Sequence, residues 1–158
     1  MIAAFLSVLS LPSVGLPTLF IISLLSATLL PMGSEPAVFA VVKMNPELFW
    51  PAVLVATAGN TVGGAISYMM GYGAKRAFAE EKQTRWFGWL QRFGPKTLLL
   101  SWLPVIGDPL CVLAGWLKMS FIQSLIYMAI GKLLRYLTFT GLLLSVPDGI
   151  WQRLGQWV

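Results

Sequence analysis

Long apolar stretches interrupted by two similar polar breaks set the pattern of this chain. Residues 1–34 carry no charged side chain, and neither do residues 48–74. Each run exceeds the roughly 20 apolar residues that cross a bilayer core. Residues 1–11, ending at Pro12, are too short to span and predict a surface or partly inserted helix. A helix is expected from near Pro17, which suits a first turn, to Leu30. The apolar segment 37–44 that follows has only eight residues. In helical form it covers about 12 Å, against a core of roughly 30 Å. It therefore predicts the return arm of a re-entrant hairpin. Asn45-Pro46-Glu47 reads as the cap and first turn of a spanning helix over 47–72.

The character changes at 80–93. Trp86, Leu90 and Phe93 fall at i, i+4 and i+7, with Lys82, Arg85 and Arg92 supplying charge. That is an amphipathic helix lying in the membrane interface, stopped by Gly94-Pro95. The first pattern then returns: 96–103 enters, 104–109 breaks, 110–117 leaves, and 121–146 spans. Pro147-Asp148-Gly149 ends that helix, and 151–158 forms a short aromatic tail at the interface.

The two breaks share one motif. Pro31-Met32-Gly33-Ser34-Glu35-Pro36 and Pro104-Val105-Ile106-Gly107-Asp108-Pro109 both place an acid four residues after one proline and just before another. Pro31, Pro36, Pro104, Gly107 and Pro109 are the expected hairpin breaks, because proline removes a backbone donor and clashes one turn back. Spacing repeats as well: Pro36 to Gly59 is 23 residues and Pro109 to Gly131 is 22, so Gly59-Asn60 corresponds to Gly131-Lys132. The expected fold is an all-α integral membrane protein of two inverted repeats, each a re-entrant helical hairpin plus a transmembrane helix. Residues 1–158 form one membrane domain, with repeat one at 17–73, a basic connector at 74–95, repeat two at 96–147 and a tail at 148–158. Inverted repeats with broken elements at midplane are a secondary-transporter architecture.

Composition agrees. Hydrophobic residues make up 57% of the chain and charged ones 11%, with mean hydropathy +0.76; soluble domains carry roughly 25% charged residues. Residues 1–34 lack the basic start and cleavage site of a secretory signal. Net charge is +5, and six of the eleven basic residues (Lys75, Arg76, Lys82, Arg85, Arg92 and Lys96) lie within 75–96. Short basic loops beside membrane segments stay cytoplasmic, so segment 75–96 is expected inside the cell and nucleic-acid binding is not. Cys111 is the one cysteine and histidine is absent, which argues against a disulfide framework or a cysteine-based zinc site within one chain. No cofactor, metal or catalytic residue is expected. The chain has no nucleophile–base constellation and no Walker loop, so an enzyme is not.

Four charges sit within the apolar regions: Glu35, Asp108, Lys132 and Arg135. Lys132 and Arg135, three apart, share a helix face. Two acids at hairpin tips balance two bases on one helix. They either hold the halves together as ion pairs or bind a charged head group and carry a proton; both roles are compatible. Burial disfavours an ionised carboxyl, which makes Glu35 the candidate proton carrier, as membrane-embedded ionisable groups generally are. Gly59, Gly63 and Gly64 form a small-residue face suited to close helix packing. The alternative is that this face leaves a substrate path beside Asn60, Thr61 and Tyr68.

Ser26-Ala-Thr-Leu-Leu-Pro31-x-x-x-Glu35, Gly59-Asn-Thr-Val-Gly63-Gly-Ala-Ile-Ser-Tyr68-x-x-Gly71 and Phe93-Gly94-x-x-x-Leu-Leu-Leu-Ser101-Trp-Leu-Pro104, followed by Ala114-Gly115, resemble the DedA family. It is also called the VTT or SNARE-associated Golgi protein family. The run from Leu99 to Asp108 is similar to its short YqaA-like branch. The resemblance covers roughly 23–143. It implies a multi-pass bacterial inner-membrane protein with two facing re-entrant hairpins, moving lipids or lipid-linked carriers between leaflets, with proton coupling. Membrane lipids, such carriers and protons are the implied partners, and an oligomer is compatible with them. The chain departs from the family pattern at Gly64, where members carry Asp, and at Ser101 and Gly107, where they carry arginines. Alternative functions are transport of a small ion or solute, and a non-transporting membrane homeostasis or assembly factor.

Overall fold

The computed structural model of the protein describes residues 12–29, 34–77, 85–103 and 106–145. All regular structure among them is helical. Helix α1 is Pro12–Leu29, α2 is Glu35–Met44, and a 3₁₀ turn over Pro46–Leu48 leads into α3, Phe49–Ala77. Helix α4, Arg85–Phe93, runs into a 3₁₀ segment at Gly94–Trp102, followed by α5, Gly107–Trp116, and α6, Phe121–Leu144. The predicted helix at 1–11, the hairpin prolines Pro31 and Pro104, residues 80–84 of the amphipathic helix and the tail from 148 lie outside the described residues.

Three local expectations change. Helix α1 starts at Pro12, and Pro17 is inside it. Pro12 takes the first turn, where a missing N–H is harmless. The backbone bond lost at Pro17 is of a kind apolar helices tolerate when packed on a neighbour. Pro36 and Pro109 do not break helices; they sit in the first turns of α2 and α5. The segment expected to enter a second hairpin is a 3₁₀ helix, which opens at Gly94, with φ +62°, and Pro95.

Contacts fix the helix directions. Gly59 abuts Phe20 and Gly63 abuts Leu24 and Ala27, so α1 and α3 run side by side in the same direction. Tyr136 meets Asn60, Met128 lies at Gly64 and Met119 meets Tyr68, so α6 runs opposite to α3. Glu35 meets Arg135, and Val42 lines a cleft with Leu143, so α2 runs with α6. Helix α5 packs on α3 through Gly71 against Val112 and Gly115 against Tyr68.

Two apolar cores result. Leu19, Val38, Val41, Val42, Ala52, Val53 and Ala56 form one with Tyr136. Tyr68, Leu90, Leu98, Leu110, Cys111, Ala114 and Met128 form the other. The outside is apolar too: Ile122, Ile126, Ile130 and Leu134 make an exposed stripe along α6, while Glu35, Lys132 and Arg135 are buried. Water would favour the reverse arrangement, whereas lipid suits it. Among the described residues, Pro46–Ala74 is the stretch long and apolar enough to cross a membrane. Helix α6 has 24 residues, about 36 Å, but Lys132 and Arg135 lower its hydropathy.

The α3–α5 crossing depends on missing side chains. A Cβ on Gly115 would lie 1.9 Å from the Tyr68 carbonyl oxygen, whereas one on Gly73 would meet nothing within 4 Å. Thermal unfolding in micelles should therefore separate the two. Gly115→Ala should cost about 1–3 kcal/mol, the usual penalty for overpacking, and Gly73→Ala should be neutral or stabilising. Equal melting temperatures would contradict the crossing.

Candidate functional site

Each short helix begins with an acid. Glu35 is the first residue of α2 and Asp108 the second of α5. The positive end of a helix dipole favours a carboxylate there. Both acids face the middle of α6, where Lys132 and Arg135 project from the inward face.

Arg135 gives Nε and Nη2 to Glu35 Oε1. Its side chain is 3% exposed and that of Glu35 11%. Arg135 Nη1 is buried and has no partner among the described residues. Lys132 Nζ lies 3.1 Å from Asp108 Oδ1, with side-chain exposures of 0% and 15%. In both pairs the base is sealed inside and the acid faces outward a little.

Asn60 joins the pairs. Lys132 Nζ donates to the Asn60 backbone carbonyl at 2.6 Å and also to Asn60 Oδ1. An ammonium can only donate, so Oδ1 must face Lys132 and Nδ2 must point away. Nδ2 donates to the Tyr136 hydroxyl at 2.8 Å. That hydroxyl also bonds Ser34 Oγ, next in sequence to Glu35. One polar network thus runs from Asp108 through Lys132, Asn60 and Tyr136 to Ser34, with Glu35–Arg135 beside its end. It lies between the two apolar cores.

The structure brings together Glu35, Asp108, Lys132, Arg135 and Asn60. Gly59 and Gly63 lie away from them, against α1, while Gly64 faces Met128 and the Lys132 ammonium. Gly107 abuts Ser101, whose carbonyl oxygen would be 2.6 Å from an added Cβ. Of the other residues on the small face, Tyr68 donates to the Met119 carbonyl, and Thr61 Oγ1 is buried without a partner among the described residues. Ser34 and Tyr136 are members of the network that sequence reasoning missed. Tyr136 lies one turn beyond Lys132 on the same face, a spacing that could have pointed to it. Ser34 carried only its place beside Glu35.

The VTT domain model matches residues 30–144, a span that contains every residue of this network. The chain belongs to the VTT domain family. It is 44% identical to inner membrane protein YqaA of Escherichia coli (strain K12) over 128 residues, covering 78% of this chain and 87% of that one. An uncharacterized protein of Haemophilus influenzae (strain ATCC 51907 / DSM 11121 / KW20 / Rd) is 38% identical over 139 residues, covering 82% and 86%. The uncharacterized membrane protein YbfM of Bacillus subtilis (strain 168) is 30% identical over 103 residues, covering 58% and 61%. No solved structure matches. The resemblance read from the motifs is thus established, and with it an all-α membrane protein of the VTT domain family.

Removing one partner of a buried pair leaves the other charge uncompensated, which typically costs about 3–5 kcal/mol. Glu35→Gln should destabilise this VTT domain by that order, and adding Arg135→Gln should cost little more. Denaturant unfolding of both single variants and the double tests the pairing; full additivity would contradict it.

Proposed function

We propose that this protein is a bacterial inner-membrane translocase. On this reading it moves lipids or lipid-linked carriers with an anionic head group between leaflets, together with a proton carried on Glu35. One observation carries the proposal: the buried Arg135 guanidinium holds Glu35 with two nitrogens and keeps Nη1 without a partner among the described residues. A guanidinium fork binds carboxylate and phosphate in the same way. A head-group phosphate can therefore take the place of the carboxylate. Glu35, left without its cation in apolar surroundings, then takes up a proton. When the phosphate leaves, Glu35 gives up the proton and returns to Arg135. The site is neutral before and after, so an anion can enter a low-dielectric interior without a stranded charge.

The helix directions support an inverted-repeat architecture around this exchange. The short helix α2 runs opposite to α3, and α3 opposite to α6; α5 runs opposite to α6, since Asp108 meets Lys132 while Cys111 and Met128 both lie at Gly64. With ten residues each, α2 and α5 reach about 15 Å, half the bilayer core, as re-entrant arms would. Alternating access follows if the repeats rock about the central pairs. The name of the E. coli relative, inner membrane protein YqaA, supports the location, and the basic connector supports a cytoplasmic loop there.

The direct test reconstitutes the protein in liposomes with fluorescent lipid and adds dithionite outside. The wild type should quench inner-leaflet lipid, and folded Glu35→Gln should fall to the protein-free level. A folded wild type that gives no quenching, with and without a proton gradient, would overturn the reading. The topology has its own check. Cysteines placed near Arg85 should label only from the cytoplasmic side, and cysteines near Asn45 only from the outside; the reverse would refute the inversion.

A further inference from the structure

The two ion pairs belong to different hairpins, yet they are joined by three hydrogen-bonding side chains. We infer that Tyr136 is a positioning residue which, through Asn60 and Ser34, makes the two pairs a single unit, so that opening Glu35–Arg135 loosens Asp108–Lys132. In its functional consequence this rests on the translocation reading; its structural content does not.

The polarity of the link follows from donors and acceptors. Lys132 fixes the Asn60 amide with its oxygen inward, and the amide nitrogen therefore has to find an acceptor on the other side, which is the Tyr136 oxygen. Tyr136 accepts there and shares a second hydrogen bond with Ser34 Oγ, in which either hydroxyl can donate. Tyr136 is 0% exposed and Asn60 1%, so water cannot replace a lost partner cheaply. Ser34 precedes Glu35 directly. Movement of the α2 start away from Arg135 therefore takes Ser34 off Tyr136. The freed hydroxyl no longer holds the amide in place, and the Asn60 oxygen loosens on Lys132. Lys132 then keeps the Asn60 backbone carbonyl and Asp108, and Asp108 is on the other hairpin. Arrival of an anion at the first hairpin is thereby felt at the second without direct contact between them. Hydrogen-bond networks with two discrete arrangements can carry coupling between distant sites.

The chain carries its own reporter. Cys111, its one cysteine, is 0% exposed, lies one turn after Gly107 in α5 and sits near the Lys132 ammonium. Its labelling by a membrane-permeant maleimide reads the opening of the second hairpin and involves no transport. Glu35→Gln should raise the labelling rate about tenfold, a coupling in the range found for residues of one network. In a Tyr136→Phe background, which keeps the ring packed in its core, Glu35→Gln should change the rate by less than about twofold. Ser34→Ala removes the other end of the same bond and should do likewise, so the test stands if one background fails to fold. Leu19→Ala, which disturbs the same core without touching the link, controls for general loosening, and its effect should not depend on the hydroxyl. If Glu35→Gln accelerates labelling equally with and without the Tyr136 hydroxyl, or never accelerates it, the link is refuted. Liposomes that show no lipid movement while the labelling cycle behaves as stated would refute the translocation reading alone.

Discussion

Lys132 and Arg135 are buried at the middle of α6, and the interior is arranged around them. A cation taken out of water without a partner loses far more hydration energy than packing returns. Each base therefore needs an acid at close range and further acceptors for its remaining donors. Glu35 and Asp108 meet the first need, and Asn60 meets most of the second for Lys132. Arg135 is the exception, since one nitrogen remains without a partner among the described residues. The proposed displacement of the Glu35 carboxylate by a head-group phosphate turns on this unmatched nitrogen.

That requirement also accounts for the shape of the chain. An acid can meet the centre of α6 only from backbone that reaches that level, and α2 and α5 begin there. Both helices place the acid in the first turn, where exposed backbone N–H groups and the dipole help to hold it. Gly64 keeps the space above Lys132 clear. At Gly107 the α5 start presses against Ser101 so closely that no side chain fits. Packing and electrostatics thus converge on the same few residues.

Membership of the VTT domain family places this arrangement in a wider group. The matched span, 30–144, begins just before Ser34 and ends just beyond Thr140. Helix α1 falls wholly before it, yet supplies the backbone on which Gly59 and Gly63 pack. The network is therefore within the shared domain, while part of its scaffold is not.

Much of this was present in the linear pattern. The membrane class follows from apolar runs longer than a bilayer core, and most helices from periodicity and from prolines and glycines at their ends. The four central charges stand out because each is costly where it lies. What the pattern could not assign was partnership, because a helix face allows Lys132 and Arg135 equal reach to either acid. Only the packing of α2 against α6 sets Glu35 on Arg135 and leaves Asp108 for Lys132. Pro36 and Pro109 were open to two readings for a related reason: proline ends one helix and begins another with the same ring. Tyr136 and Ser34 were hidden because an aromatic and a small polar residue are ordinary in such segments. Their roles exist only once residues 102 positions apart in the chain come within one hydrogen bond. Local energies set the segments, and the cost of burying charge chose how they meet.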